Sequence, residues 1–155
     1  MADETLNRVW LLHGVNLDML GRRDPEQYGT MTLAELEAFV AEEGRKRGLD
    51  VRPFQTNHEG VLVEKIHEIV REGAAAVMIN PGAWTHYSYA LRDALEMVAA
   101  PIAEVHLSAV DERETWRRQS VIADVASVRV NGKGAAGYAE ALARLADLLR
   151  HGDES

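Results

Sequence analysis

Hydrophobic positions along this chain alternate between two rhythms. Arg8-Val-Trp-Leu-Leu-His13 is a short apolar run stopped by Gly14, the signature of a buried strand. Thr32-Leu-Ala-Glu35 has the spacing of a capping box. Leu33, Leu36 and Val40 follow at helical intervals, so a helix runs on toward Gly48. Asp50 to Thr56 reads as a second strand. Glu59 to Arg71, with Leu62, Ile66, Ile69 and Val70 on one face and Gly73 behind, reads as a second helix. Ala74 to Ile79 is a continuous apolar run ended by Asn80-Pro81-Gly82, a third buried strand with a sharp stop. Ser88 to Val98 is a third helix, and Pro101 opens a fourth strand, Ile102 to Leu107. Asp111 to Arg118 is polar with room for one helical turn. Val125 to Val130 is a fifth strand, and Tyr138, Ala141, Leu142, Leu145 and Leu149 mark a last amphipathic helix.

Strands and helices alternate throughout, which predicts a parallel sheet covered on both faces. Five such units in 155 residues fit a doubly wound, flavodoxin-like α/β domain of strand order 2-1-3-4-5. One domain, residues 1–155, is expected, with its core over about 8–149 and polar, mobile ends at 1–6 and 151–155. The stretch Gly14 to Gly29 breaks the rhythm. A long aperiodic loop in a compact domain is usually functional or disordered.

Composition narrows the function. At 46% hydrophobic and 27% charged, the chain has an ordinary globular profile. A net charge of −8 argues against nucleic acid and anionic membranes as partners. It leaves room for a small anion gripped by a local arginine cluster, and fourteen of the 17 basic residues are arginine. With no cysteine there is no disulfide, thiolate nucleophile or cysteine-based metal site, which fits a reducing cytoplasm. The acidic start does not read as a signal peptide, and no apolar run approaches membrane-spanning length.

In a sheet of this order ligands sit beyond the carboxyl ends of the strands, at the switch between strands one and three. Those ends carry His13–Asn16 and Asn80–His86, and strand four ends at His106-Leu-Ser108. The long loop adds Arg22, Arg23 and Tyr28, and the segment after strand four adds Arg113 and Arg117. Together they describe a polar pocket for a hydroxylated carboxylate, with arginine as the anion clamp. Taken singly, Asn80 also reads as a turn cap, His106 as a core histidine and Tyr28 as a packing aromatic. His58 and His67 read as structural. No His, Asp and Glu spacing suggests a metal, and there is no Gly-rich phosphate loop. A phosphoacceptor domain of this fold needs an aspartate where Asn80 stands. A flavin carrier needs a hydroxyl-rich loop after strand one.

Four motifs in order sharpen the picture. His13-Gly-Val-Asn-Leu-Asp-Met-Leu-Gly-Arg-Arg-Asp-Pro-Glu-Gln-Tyr-Gly29, Gln55-Thr-Asn-His-Glu-Gly60, Ile79-Asn-Pro-Gly-Ala-Trp-Thr-His-Tyr-Ser88 with Ala90-Leu-Arg-Asp93, and Glu104-Val-His-Leu-Ser108 with Arg113-Glu-Thr-Trp-Arg117 resemble the blocks of type II 3-dehydroquinate dehydratases. The resemblance spans residues 8 to 149. It implies dehydration of 3-dehydroquinate to 3-dehydroshikimate through an enolate, with no cofactor, in a dodecamer built from trimers. It further implies that Tyr28 is the base and that Arg23 favours its phenolate. Asn16, with a water, would steady the enolate, and His106 would be the acid. Asn80, His86, Arg117 and the Leu107 and Ser108 amides would contact substrate. Asp93 would reach a neighbouring subunit's site, and Glu104 would stand behind the contacting residues as a supporting partner. Elimination beta to a ketone needs a base, an enolate stabiliser and an acid, and Tyr, Asn and His can fill those roles unaided. The lysine Schiff-base alternative on a barrel does not fit so short a chain. Val15, Asp111 and Gln119 depart from the family's usual text, as do Ala123-Asp124 and Asn131-Gly-Lys133. They leave open a related hydro-lyase acting on another cyclic hydroxy-keto acid.

Overall fold

Five parallel strands lie in the order β2-β1-β3-β4-β5 in the computed structural model, which describes residues 5–153. They are β1 (Arg8–His13), β2 (Asp50–Gln55), β3 (Ala76–Asn80), β4 (Ile102–His106) and β5 (Val128–Asn131). The helices are α1 (Pro25–Tyr28), α2 (Leu33–Arg45), α3 (Glu59–Glu72), α4 (Tyr89–Glu96), α5 (Thr115–Arg118) and α6 (Gly134–Asp153). The expected order and class therefore stand.

Strand periodicity divides the interior into two cores. Val9, Leu11, Ala76, Met78, Ala103, Val105, Val128 and Val130 face α2 and α6, where they meet Leu36, Val40, Tyr138, Ala141, Leu142 and Leu145. Leu12, Val77, Ile79 and Ile102 point the other way, against Leu62, Ile66 and Ile69 of α3 and Leu91, Ala94 and Leu95 of α4. Burial on both faces explains why these strands read as unbroken apolar runs. The helix starts follow their caps. Thr32 and Glu35 exchange both capping-box bonds, and Ser88 accepts from the Leu91 amide at 3.1 Å.

Several boundaries differ from the sequence reading, each for a local reason. Val125 belongs to a 3-10 turn over Ala123–Val125, so β5 starts later, at Val128. Val70 lies on the outer side of α3 and is 38% exposed. Residues 151–153 continue α6 instead of fraying, while 1–4 and 154–155 lie outside the described residues. The long loop is also not structureless. Leu17–Met19 make a 3-10 turn, and Pro25–Tyr28 make one helical turn capped by the Asp24 carboxylate, which accepts from the Glu26 amide at 3.1 Å. Asp-Pro is a helix-start signal, with the missing proline N–H harmless at the first position. That turn fixes where Tyr28 leaves the chain.

The cleft opens where β1 and β3 deliver their loops side by side. His13 pairs with Asn80 in register, and the Gly14 amide donates to the Asn80 carbonyl at 2.8 Å. A side chain at Gly14 would sit 2.2 Å from the Pro81 carbonyl oxygen. At Gly82, where φ is +65°, it would sit 2.6 Å from the Val15 carbonyl. These contacts are with backbone, so neither position can give way without parting the two strand ends. Gly14→Ala should therefore lower stability by at least about 2 kcal/mol in urea unfolding. Gly60→Ala, in open space on α3, should be neutral or stabilising by up to about 1 kcal/mol. Equal effects of the two would remove the close approach as a constraint.

Candidate active site

Beyond the carboxyl ends of β1, β3 and β4 lies a cleft of about 500 Å³, counting its open mouth. Of the residues picked out by sequence, Asn16, Arg23, Tyr28, Asn80, His86, His106, Leu107, Ser108 and Arg117 line it together. Glu104 sits behind His106, wholly buried. Asp93 does not join them. It is exposed on α4, away from its own chain's cleft. His13 is also turned away, with Nε2 3.2 Å from the Glu37 carboxylate on α2.

Tyr28 closes α1, and its hydroxyl oxygen receives two charged donors. Arg23 Nη2 donates from the same loop at 2.8 Å, and Arg113 Nη1 donates from the segment after β4, also at 2.8 Å. Arg113 reaches Ser108 Oγ as well, at 3.3 Å. Two guanidinium groups brought to one oxygen repel each other unless negative charge lies between them. Negative charge developing on that oxygen would offset the repulsion. Sequence reasoning counted Arg113 as part of the polar rim but gave it no role. The signal was its place in Arg113-Glu-Thr-Trp-Arg117, but only the fold shows that a residue 85 positions away meets Tyr28.

On β4, His106 Nε2 donates to Glu104 Oε2 at 2.6 Å. That bond assigns the proton of the neutral ring to Nε2 and leaves Nδ1 as the second site. Burial pushes the Glu104 carboxyl up, but hydrogen bonds from His106, Thr85 (2.6 Å) and Ser120 (2.8 Å) outweigh it and hold it at about 2. Glu104 is thus a fixed negative charge at neutral pH. It orients the imidazole through Nε2.

His86 Nδ1 donates to the Gln119 carbonyl at 2.7 Å, which leaves Nε2 as the free nitrogen. Burial lowers its pKa, with the charges of His106 and Arg117 adding to the effect, so the ring is neutral at pH 7. Arg117 is braced by Glu114, 2.7 Å from Nε, and its guanidinium lies 4.1 Å from the Trp116 ring centre. Asn80 is largely occupied within the fold. Nδ2 donates to Tyr138 Oη at 2.9 Å, and Oδ1 accepts from the Gly82 amide at 3.1 Å. The turn-capping reading of Asn80 is therefore right as far as it goes, and one Nδ2 hydrogen remains for the cleft.

Asn16 adopts a left-handed backbone, φ 70°, a conformation asparagine tolerates better than most residues. Its amide donates to Asn57 Oδ1 at 2.8 Å. Asn57 in turn donates to Asp18, and Gln55 Nε2 donates to the Gly14 carbonyl and to Asn57 Oδ1. The Gln55–Gly60 motif thus braces the start of the Gly14–Gly29 loop, a role sequence reasoning did not assign. Among the described residues, no three His, Asp or Glu side chains are grouped to hold a metal ion, and no helix is long and apolar enough to cross a membrane.

This cleft and fold have known counterparts. The family model for dehydroquinase class II matches residues 7–146. The 3-dehydroquinate dehydratase of Pelobacter propionicus is 47% identical over 149 residues, 96% of this chain and all of that one. The type II dehydroquinase from Propionibacterium acnes superposes with a TM-score of 0.87 at 41% identity, covering 91% of this chain and 97% of its own. That from Butyrivibrio crossotus gives 0.86 at 39% identity, covering 89% and 96%. With matches that run nearly end to end in both sequence and structure, the chain belongs to the class II dehydroquinase family.

Proposed function

We propose that this protein eliminates water from 3-dehydroquinate to give 3-dehydroshikimate. The observation that carries the reading is the Tyr28 oxygen held between Arg23 and Arg113, in the same cleft as the His106–Glu104 pair. The phenolate of Tyr28 takes a proton from the carbon alpha to the ketone, and the electron pair moves onto the carbonyl oxygen as an enolate. Asn16, through a water, steadies that oxygen. As the enolate collapses, the new double bond forms, the beta carbon–oxygen bond breaks, and His106 gives its proton to the leaving hydroxyl. Water departs, with the acid and base each one proton transfer from their starting state. Glu104 stabilises His106 before that transfer. Arg117, the free Nε2 of His86, the remaining Asn80 hydrogen and the Leu107 and Ser108 amides hold the carboxylate and hydroxyls. Each role falls to a side chain or backbone group, so the reading calls on no metal or cofactor.

Of the departures that left another substrate open, Val15 lines the cleft, whereas Asp111 and Gln119 do not. Asp111 is bound to Arg129 and Asn131, and Gln119 contributes its backbone carbonyl to His86. This supports 3-dehydroquinate over a related hydroxy-keto acid. The same reading places the protein in the cytoplasm, in aromatic biosynthesis or quinate breakdown. It assembles as a dodecamer, a tetramer of trimers, in which Asp93 of one chain serves the cleft of its neighbour.

Tyr28→Phe should fold and bind substrate normally but lose about 10²–10⁴ in kcat, as expected for removal of a general base. The assay follows the conjugated product in the ultraviolet, and turnover within about tenfold of the parent would exclude Tyr28 as the base. The two arginines should separate kinetically. Arg113→Gln should lower kcat by about 10–10², the worth of one charge-assisted bond, with little change in KM. Arg117→Ala should raise KM by a similar factor. An effect of Arg113→Gln on KM alone would make it an anion clamp. For the assembly, sedimentation equilibrium should give twelve chains of 17.2 kDa, and a monomer with full activity would refute the shared site.

A further inference from the structure

We propose that Arg129, held in place by Asp111, is a positioning residue that sets how firmly His106 keeps its proton, acting through Glu104. The inference rests on the dehydration reading, in which His106 must both hold a proton and give it up.

The parallel register of β4 and β5 places Glu104 beside Arg129 and His106 beside Asn131. Glu104 and His106 are two residues apart and share one face of the sheet. Arg129 Nε donates to Glu104 Oε1 at 3.2 Å, on the carboxylate oxygen opposite the one that receives His106. The other end of the guanidinium meets Asp111, with Nη1 3.2 Å from Oδ2. Asp111 is itself fixed by Asn131 Nδ2 at 3.2 Å. A chain of alternating charge therefore runs Asp111, Arg129, Glu104, His106, from the rim to the cleft.

The consequence follows from Coulomb's law. Glu104 is wholly buried, and apart from Arg129 its partners are two hydroxyls and His106. Unopposed, its negative charge would fall chiefly on His106 and hold the imidazolium tightly. Arg129 offsets part of that charge, and Asp111 offsets part of Arg129. The remaining charged or titratable groups near His106 are His86 on the 82–86 turn, Arg117 on α5, and Arg23, Arg113 and Tyr28 in the cleft. None of them has a hydrogen bond or ion pair to Glu104, though its charge is felt at His86. Apart from the imidazolium of His106 itself, Arg129 is the one cation paired with that carboxylate among the described residues.

The test is the pH dependence of kcat/KM for Arg129→Met, Arg129→Gln and Arg129→Lys. An acid that must be protonated loses activity as pH rises through its titration, so His106 governs the basic limb. Removing the offsetting charge leaves Glu104 pulling harder on the imidazolium. The basic limb should then move to higher pH by about 0.5–1 unit in both the Met and Gln variants, less than a direct contact gives because the effect is relayed. Gln keeps a hydrogen bond to Glu104 but no charge, and Lys should return the limb to the parent position. Asp111→Ala should displace the limb in the parent and leave it unmoved in the Arg129→Met background. A uniform loss of activity with an unmoved limb, or a downward shift, would reduce Arg129 to a packing role. If the parent does not convert 3-dehydroquinate, the functional reading fails. The histidine titration followed by NMR, with His106 assigned by its absence in His106→Asn, would still decide the charge relay by whether that signal moves upward in Arg129→Met.

Discussion

The register of β1 against β3 is the constraint on which the rest of the site hangs. All five strands run the same way, so every loop that can carry chemistry emerges on one rim. The order 2-1-3-4-5 makes β1 and β3 neighbours although their following helices go to opposite faces. Their loops diverge from a point where Gly14 touches the Pro81 backbone and Gly82 touches the Val15 backbone. Leu17 and Leu20 of the first loop pack into the α2–α6 core, and Trp84 of the third packs into the α3–α4 core. The cleft is the gap left between them, floored by the end of β4. Its position is thus a consequence of topology and two side-chain-free residues, and its walls are anchored separately in the two cores.

Much of this was legible in the sequence because it is written in local signals. Strand runs, the capping box at Thr32 and the stops at Gly73 and Asn80-Pro81-Gly82 act over a few residues. Each maps onto an observed element. The misses are of a different kind. The apolar pair Val125 and Ala126 looks like strand, but Val125 closes a 3-10 turn, its amide bonded to the Ile122 carbonyl, and packs against the α3–α4 core. Arg113 on Tyr28 and Arg129 on Glu104 are contacts across 85 and 25 positions. Nothing in the spacing of charges along a chain encodes such pairings. Asn80 shows the limit from the other side. Read alone it was a turn cap, read in its motif a substrate contact, and its geometry makes it a cap with one donor to spare.

The global charge and the local charge of this protein have opposite signs. The chain carries −8, yet Arg23, Arg113 and Arg117 line one cleft. Concentrating like charges costs free energy, and a single carboxylate, Glu114, offsets part of that cost for two of the three arginines. Glu114 lies 2.7 Å from Arg117 and 3.8 Å from Arg113, outside the reacting space. The front of the cleft is left positive, and a small carboxylate substrate completes the balance. The same distribution surrounds the proposed base, Tyr28, whose oxygen lies between Arg23 and Arg113 in a chain of net charge −8.

The acid half of the site is built by the opposite device. Where Tyr28 is surrounded by cations, His106 is backed by an anion that burial alone would neutralise. Glu104 stays charged because hydroxyls from Thr85 and Ser120 and the ring of His106 bring it enough hydrogen bonds to exceed the desolvation penalty. Such a carboxylate fixes the histidine ring through Nε2, and its other oxygen is shared with Arg129. A useful acid needs a hold that is strong in the free enzyme and no stronger than the leaving hydroxyl can overcome. The proposed base and acid therefore meet opposite charges on opposite walls, Arg23 and Arg113 for one and Glu104 for the other. The parallel sheet makes that separation possible, because β1 and β3 carry their loops apart while β4 brings its buried carboxylate up between them.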